Sequence, residues 1–302
     1  MAVPTLVDAQ WLVKNLGNVR IIDASYTPTV PLAPAEYKEK YYGKFGSGIN
    51  DFKNKEFLAD HINGASHFNF DIAYYPTETE RFALYPPAEF SAYIKRLGVY
   101  NGDHIVLYAR GPEGGFPNAA RAYWTFKYYN YQSVSILNGG LDAFKLVPGG
   151  VCKGGEELIS CGNFEVTGTN DAILVKADAV PFGSLSSIKF LDARRKEGWI
   201  GKENLPFPNP EKPTAGFRVK DSIHFPLSNV VGPKGLKKKV EVEQAFGAGG
   251  IAIGNKVITH CAFGVRAAAL YVALEVAGIP AAVYNGGYYE IVRTKPELVT
   301  EK

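Results

Sequence analysis

The residue with the clearest chemical potential is Cys261, which lies between a β-branched run and an alanine-rich stretch. Residues 257–260, Val-Ile-Thr-His, predict a buried strand, and residues 267–275 have a high intrinsic helix propensity. Cys261 is therefore expected where a strand turns into a helix, and Gly264 supplies backbone freedom for that turn. Open α/β sheets bind ligands at the carboxyl ends of their strands. A sulfur at this position is a candidate nucleophile, although a lone cysteine beside an apolar strand is usually a small buried hydrophobe.

The loop after Cys261 predicts a positively polarised cradle for a thiolate. N–H groups in the loop and in the first helical turn lack intrahelical acceptors, and the helix dipole adds partial positive charge. The guanidinium of Arg266 adds a full charge. Together these groups are expected to lower the thiol pKa and to hold an anionic donor or a persulfide sulfur. The interpretation requires a thiol at the mouth of its domain, open to solvent. The candidate anion-binding residues of the loop are Ala262, Phe263, Gly264, Val265 and Arg266.

The composition is that of a globular protein with room for about two domains in its 302 residues. The formal net charge of +3 gives no reason to expect nucleic acid as a partner. No apolar run approaches the roughly 18 residues of a membrane span, so no membrane partner is expected. Three cysteines make no disulfide framework and favour free thiols in a reducing compartment. A cytoplasmic location is expected, and a mitochondrial one remains open.

Cofactor and metal motifs are not evident in the sequence, so neither kind of group is expected. The five histidines lack metal-ligand spacing with the cysteines. Residues 43–48, Gly-Lys-Phe-Gly-Ser-Gly, superficially resemble a phosphate loop, but they lack the Walker spacing and a preceding buried strand. They are interpreted as a flexible loop.

The sequence contains two copies of one pattern in the same order. In both halves short β-branched runs alternate with helical stretches, which predicts an α/β domain with a mainly parallel sheet flanked by helices. The seam is rich in Gly, Pro and small polar residues. We therefore expect one domain over residues 1–150, a linker over 151–170 and a second domain over 171–302. The matching pairs are residues 19–24 with 188–193, 64–68 with 221–225, 104–108 with 256–260, and 138–140 with 285–287.

These motifs resemble the rhodanese-like family in its tandem form, the thiosulfate and mercaptopyruvate sulfurtransferases. The resemblance covers nearly the whole chain and implies an inactive first domain and a catalytic second domain. The first half fits, because Tyr108-Ala109-Arg110 stands where the second half has His260-Cys261, and its loop is longer. The motifs that carry the resemblance are residues 60–65, Phe70-Asp71, Asp192-Ala193-Arg194, the 261–266 loop and both Asn-Gly-Gly segments.

The resemblance implies a double displacement at Cys261. A thiolate takes sulfane sulfur from a small anionic donor, thiosulfate or mercaptopyruvate, and becomes a persulfide. A thiol or cyanide acceptor then removes that sulfur.

Several positions depart from the family pattern and leave the donor open. Phe263 stands at the serine of the mercaptopyruvate enzymes, and Phe82 stands at the associated histidine, while Asp71 is retained. The family's substrate arginine falls at Gly198. Arg194, Arg195 or Lys196 could bind the donor instead, although an arginine in the position of Arg194 is more often structural.

Two other functions remain open. His260-Cys261 followed by Arg266 is similar to a cysteine-dependent phosphatase or arsenate reductase signature, but four residues separate Cys and Arg here and those enzymes have five. The shorter loop suits a sulfane sulfur better than a phosphate. The second alternative is a non-catalytic rhodanese-like binding module, which the lost substrate positions favour and the retained cysteine opposes.

Overall fold

The computed structural model describes residues 3–29, 32–180, 188–203 and 217–300. The chain divides into two compact units. Each unit consists mainly of one half of the chain and includes a short segment from the other half. The first unit is Met1–Tyr75, Leu84–Asn170 and Gly232–Leu236, and the second is Pro76–Ala83, Asp171–Val231 and Lys237–Lys302.

The first unit is built on a five-stranded parallel sheet with the order β1-β6-β5-β2-β4. Its three inner strands β6, β5 and β2 are almost wholly buried, as expected for the strands of a parallel sheet covered on both faces. A separate antiparallel pair joins β3 and β7. The strands are β1 Leu6–Val7, β2 Arg20–Asp23, β3 His61–Ile62, β4 Ser66–His67, β5 Ile105–Tyr108, β6 Val134–Leu137 and β7 Cys152–Lys153.

Helices cover this sheet, and the sequence signals for their ends are partly visible. Helix α6 begins at Pro87, where the fixed φ of proline suits the first turn, and Gly98 has a left-handed backbone just after its last turn. The helices are α1 Ala9–Asn15, α2 Pro34–Lys40, α3 Phe45–Asp51, α4 Lys55–Ala59, α5 Phe70–Ala73, α6 Pro87–Arg96, α7 Phe116–Tyr128 and α8 Gly140–Lys145.

The second unit repeats the architecture with a parallel sheet of order β10-β9-β13-β14-β8. Helix α11 packs against β13 and β14. The strands that follow β7 are β8 Leu174–Val175, β9 Lys189–Asp192, β10 Ile223–His224, β11 Val231–Gly232, β12 Gly235–Leu236, β13 Val257–His260 and β14 Ala281–Tyr284. The helices are α9 Lys196–Trp199, α10 Lys239–Ala248, α11 Val265–Val276 and α12 Gly287–Thr294.

The two sheets match in register as well as in strand order. Asp23 pairs with Tyr108 in the first sheet, and Asp192 pairs with His260 in the second. The residue after each aspartate donates to the carbonyl of the residue opposite that aspartate, at 2.7 Å in the first unit and 2.8 Å in the second. The predicted fold of two tandem α/β units, each with a parallel sheet, is therefore confirmed.

The stretch over 151–170, which the composition marks as a linker, lies in the first compact unit. It is held there by both backbone and side-chain contacts. Cys152 pairs with Ile62 as β7 meets β3, and Gly155 donates to the carbonyl of Leu58 (2.7 Å). Phe164 is fully buried, and its ring packs edge-on against those of Phe90 and Phe126, but this contact is not visible in the Gly-rich, polar composition of the stretch.

The prediction of a flexible loop at residues 43–48 is wrong, because α3 begins at Phe45. The segment packs against neighbouring side chains, at distances where an added Cβ would make ordinary contacts. A Cβ at Gly48 would lie 3.4 Å from Ile72 Cγ1, and one at Gly46 would lie 3.5 Å from the Arg96 guanidinium. Tertiary contact therefore outweighs the low helix propensity of glycine here.

No helix in the described parts of the chain is long and apolar enough to cross a membrane. Across the same ranges, no group of His, Cys, Asp or Glu side chains is arranged to hold a metal ion.

The glycine at the start of α12 allows that helix to approach the end of β13 closely. Gly287 has φ +59°, and an added Cβ would lie 2.5 Å from the carbonyl oxygen of Cys261 and 2.7 Å from that of Ala262. Gly140, its equivalent at the start of α8, has φ +60° and would meet the carbonyl of Ala109 in the same way. A side chain at either position would push the helix away from the strand end.

We expect Gly287→Ala to destabilise the protein by about 3 kcal/mol or more, because the new methyl group adds backbone overlap to left-handed strain. Gly278→Ala is the matched control, since Gly278 has φ +73° and nothing within 4 Å of an added Cβ. Strain alone predicts a cost of about 1 kcal/mol there. Urea unfolding of both variants measures the difference, and equal costs would show that α12 can move away freely.

Candidate active site

Cys261 is the first residue after β13, and α11 starts at Val265 after a loop of three residues. Gly264 precedes the helix with a left-handed backbone, φ 83°. The structure therefore has the strand, the short loop with its glycine, and the helix start that the sequence predicts around the cysteine.

The carbonyl oxygens of the loop are bound by the start of α12. The N–H of Tyr288 donates to Cys261 O (2.7 Å), and that of Tyr289 donates to Ala262 O (3.1 Å). Among the described residues, no hydrogen bond engages the N–H of Ala262 or Gly264. The first turn of α11 leaves further N–H groups without intrahelical acceptors. The loop thus has its carbonyls occupied and N–H donors available, which favours an anion.

Arg266 and Phe263 extend this loop to neighbouring elements. Arg266 is half-buried, and its Nε donates to the carbonyl of Ala193 (3.3 Å) just beyond β9. Its charge is therefore fixed near the strand ends. Phe263 is buried with its ring centroid 5.4 Å from that of Tyr289. The side of the loop formed by Phe263 is therefore apolar. The resemblance to mercaptopyruvate enzymes implies a serine at this position.

A buried ion pair lies at the end of β9, the strand beside β13. Arg194 Nε donates to both carboxylate oxygens of Asp192 (3.0 and 2.9 Å), and its Nη2 donates to Oδ2 (2.6 Å). Burial alone would raise the pKa of Asp192, but the nearby His260 imidazole and the charge and hydrogen bonds of Arg194 hold that pKa below its ordinary value. Asp192 is therefore ionised and paired at neutral pH.

The same arginine is linked to the cysteine loop through Tyr288. Its guanidinium lies over the Tyr288 ring, 4.2 Å from the centroid, and Nη2 donates to Phe217 O (2.9 Å). The Tyr288 hydroxyl accepts from Phe217 N–H (2.9 Å), while Tyr288 N–H binds Cys261 O. Arg194 thus supports the loop indirectly. Its Nη1 is buried without a hydrogen-bond partner in the described structure, so its role in binding a donor stays a prediction.

Arg195 lies apart from this network. It is exposed and precedes α9, and no hydrogen bond or ion pair within the described ranges joins it to the cysteine loop. Its proposed contact with a donor also stays a prediction. Gly198 stands where the resemblance implies a substrate arginine, and it is buried beside Arg194. A Cβ added at Gly198 would lie 3.7 Å from the Cβ of Arg194.

His260 is a fully buried imidazole directly before Cys261. Its ring stacks on Phe190 at 4.3 Å, and Nε2 lies 3.8 Å from Asp192 Oδ2, an oxygen that Arg194 already binds. Burial, aided by the charge of Arg194 and opposed by Asp192, lowers the pKa of His260 to about 4. His260 is therefore neutral at pH 7 and supplies no positive charge to the adjacent thiol.

The expectation that Cys261 is open to solvent is wrong for this structure, because the residue is only 2% exposed. The chain after the sulfur turns back into α11, and α12 approaches the backbone from the other side through Gly287. A strand-end position therefore does not by itself expose a side chain. A donor must reach the sulfur within a confined space.

The equivalent site in the first unit is filled by an arginine. Ala109 replaces the cysteine, and the next residue, Arg110, binds Asp23 Oδ2 through Nη2 (3.2 Å) and Ser25 Oγ through its N–H (3.0 Å). The left-handed glycine that directly precedes the helix is Gly115 in the first unit, six residues after Ala109. In the second unit it is Gly264, three residues after Cys261. This loop lacks a nucleophile and contains its own cation.

The Asn-Gly-Gly segments have a role that the sequence pattern does not reveal. Asn285 Nδ2 donates to Glu80 Oε2 (2.9 Å) and to Phe82 O (3.0 Å), which belong to the short first-half segment in the second unit. Asn138 accepts from Leu236 N–H (2.8 Å) and donates to Leu236 O (2.9 Å) in the first unit. The only sequence feature that could have indicated this role is that the two asparagines lie at equivalent positions of the repeat.

Asp71 is used within the first unit. Its carboxylate accepts from the Tyr26 hydroxyl (3.1 Å) and from Thr29 Oγ1 (2.9 Å). Phe82 is buried and belongs to the second compact unit. The serine, histidine and aspartate of the mercaptopyruvate enzymes thus correspond here to two phenylalanines and a locally bonded carboxylate.

Comparison with known proteins agrees with the fold and with the family resemblance. The Rhodanese-like domain family matches residues 8–146. A Caenorhabditis elegans protein, mpst-4, which its name assigns provisionally to the thiosulfate sulfurtransferases, is 44% identical over 297 residues, covering 98% of this chain and 87% of its own length. The chain belongs to the rhodanese-like family. Among other members, the Rattus norvegicus thiosulfate sulfurtransferase is 27% identical and covers 96% of this chain and 93% of its own length.

Solved rhodanese-like structures share the whole architecture. The 3-mercaptopyruvate sulfotransferase SseA of Escherichia coli has a TM-score of 0.71 at 24% identity, covering 94% of this chain and 99% of its own. The sulfur transferase subunit of yeast mitochondrial complex I has a TM-score of 0.79 at 23% identity, covering 99% and 100%. At these identities the match concerns the tandem rhodanese fold.

The stability of the protein is expected to fall as the pH drops from about 6.5 to 4 because of His260. The unfolded imidazole takes a proton near pH 6.5, while the folded one resists until about pH 4. Acid therefore favours the unfolded chain by up to about 1.4 kcal/mol per pH unit, or about 3 kcal/mol in total.

His260→Phe keeps the ring stack on Phe190 and removes this titration. Its unfolding free energy, measured by urea denaturation at several pH values, is expected to depend less steeply on pH over the same window. His67, whose pKa burial also lowers, is present in both proteins and cancels. Parallel curves for the two proteins would contradict the assignment.

Proposed function

We propose that this protein is a sulfurtransferase that moves sulfane sulfur from a small anionic donor, thiosulfate or mercaptopyruvate, to cyanide or a thiol. The observation that carries the proposal is Cys261 at the end of β13, before a loop with available N–H donors. The names of the relatives, which include thiosulfate and 3-mercaptopyruvate sulfurtransferases, support the same activity.

The reaction proceeds in two displacements at one sulfur atom. The Cys261 thiolate attacks the outer sulfur of the donor and forms an S–S bond, while sulfite or the pyruvate enolate leaves with the bonding electrons of the broken bond. The acceptor then attacks the outer sulfur of the persulfide. The S–S bond breaks, thiocyanate or a new persulfide departs, and the Cys261 thiolate returns.

The loop stabilises the charge that moves during both steps. The N–H groups of Ala262 and Gly264, which bind no described acceptor, are available to a sulfur anion, and donors fixed in a loop need little reorganisation during the reaction. Arg266, held at Ala193 O, adds positive charge at the same helix start. Because Asp192 is neutralised by Arg194, its carboxylate does not oppose an anionic donor.

The choice between the two donors depends on the walls of the loop. Phe263 provides an apolar surface at the serine position, and Ala262 offers only its backbone. Donor binding therefore depends on N–H groups and arginines. Arg266, Arg194 and Arg195 are the candidates for the donor's charged end.

Cys261→Ser is expected to reduce sulfur transfer to below about a tenth of the wild-type rate, since a hydroxyl cannot form a persulfide. Steady-state assays with thiosulfate and with mercaptopyruvate, each with cyanide as acceptor, measure the effect and identify the preferred donor. Cys161→Ser, at an exposed free thiol, is the matched control and should retain full activity. Substantial activity in Cys261→Ser would place the nucleophile elsewhere.

The burial of Cys261 predicts a reactivity that depends on reagent size. Iodoacetamide should modify the native thiol, whereas a bulky fluorescein maleimide should react with it far more slowly than with exposed Cys161. Peptide mass spectrometry quantifies each site within one sample. If iodoacetamide labels Cys261 only after unfolding, the site is closed and the proposed donor chemistry fails.

The same burial favours a second candidate, a non-catalytic rhodanese-like binding module. A sulfur that is 2% exposed could serve packing alone. Intact-mass measurement after incubation with either donor separates the two functions. Gain of one sulfur atom on Cys261 supports the enzyme, and an unmodified mass with both donors supports the binding module.

We also propose a reducing compartment such as the cytoplasm. Cys152, Cys161 and Cys261 are free thiols, which supports this placement. Fractionation of cells carrying the tagged protein tests it, and recovery with mitochondria would overturn the cytoplasmic assignment.

A further inference from the structure

The first unit contains a cavity of about 270 Å³ that the proposed chemistry does not use. It is lined by parts of α3, α4 and α5, by β4, by the end of α6 and by residues 156–159. Sites for drug-sized ligands begin at about 300 Å³, so this cavity suits a smaller molecule.

The walls of the cavity combine apolar and polar side chains. Aliphatic and aromatic side chains from several elements face it, so burial of a hydrocarbon body in the cavity would be favourable. The principal apolar residues are Ile49, Phe52, Phe57, Leu58, Ile72 and Ile159.

Most polar side chains on the wall already have partners. Asn54 Nδ2 donates to Ser25 O (3.2 Å), Asn69 Nδ2 donates to Phe52 O (2.5 Å), and His67 Nε2 donates to Ser25 O (2.9 Å). Ser66 differs, because its Oγ is buried and has no hydrogen-bond partner in the described parts of the chain. A buried hydroxyl without a partner costs free energy that a polar ligand atom would recover.

The charges around the cavity leave a single cation uncompensated among the described residues. Glu156 pairs with Lys53, and Glu157 pairs with Lys153 (2.8 Å) while also accepting from Gly64 N–H (2.6 Å). Arg96 lines the same cavity, and no described residue forms an ion pair or hydrogen bond with it. The two carboxylates are thus neutralised locally, and the free guanidinium favours an anionic group.

We propose that this cavity binds a small aromatic carboxylate, with the ring against the apolar wall and the carboxylate toward Arg96. Ser66 Oγ supplies a further polar contact inside the cavity. Guanidinium groups bind carboxylates with matched geometry, and an aromatic ring fits a volume that is too small for a drug-sized ligand. The site is independent of Cys261, so it stands or falls separately from sulfur transfer.

The test uses the full chain carrying Cys261→Ser, so that sulfur transfer plays no part. The probes are 4-fluorophenylacetate and its neutral isostere 4-fluorophenylacetamide, titrated by ligand-observed ¹⁹F NMR. We expect the acid to bind with a Kd on the order of 1 mM and about fivefold more tightly than the amide. Arg96→Gln should remove this preference while leaving amide binding unchanged.

A second variant tests the cavity itself. Ile49→Trp places a larger ring into the space and should abolish binding of both probes. Ser47→Trp on the exposed side of the same helix α3 is the matched control and should bind like the parent. The proposal is overturned if neither probe binds, if Ile49→Trp retains binding, or if the acid preference survives Arg96→Gln. The comparison of acid and amide binding by Arg96→Gln remains decisive even if Ile49→Trp fails to fold.

Discussion

A buried carboxylate at the end of one parallel strand determines how each unit arranges its loop. Asp23 and Asp192 are both fully buried, and each lies opposite the last residue of the strand that leads into the loop. A charge in such a place must be matched by a cation, since an unpaired buried charge is strongly destabilising. The source of that cation differs between the two units.

In the first unit the matching guanidinium comes from the loop itself, through Arg110, which therefore occupies the space above the strand ends. In the second unit the matching guanidinium belongs to Arg194, which lies two residues after Asp192 at the end of β9, at the position equivalent to Ser25. The loop after Cys261 then does not have to supply the cation that pairs with the buried aspartate, and it can be short. Cys261 and its N–H donors occupy a cradle whose neighbouring carboxylate is already neutralised, which anionic chemistry requires.

The sequence predicts the framework well because the framework depends on local pattern and repetition. Buried strands read as unbroken apolar runs, Gly98 and Gly264 mark helix boundaries, and the two copies reinforce each other. The sequence does not predict how tightly elements approach. The helix α3 depends on tertiary contacts, and the close approach of α12 to Cys261 depends on the missing Cβ of Gly287. Spacing alone carries no information about either neighbour.

The equivalent asparagines Asn138 and Asn285 hold the two halves of the duplicated chain to each other's segments. Each binds a short segment contributed by the other half, residues 232–236 and 76–83 respectively. A cut at the seam would leave both asparagines buried or half-buried with lost partners, and each fragment would lack part of its own compact body. Fission into two freestanding proteins is therefore disfavoured, because each half depends on the other to complete its compact unit.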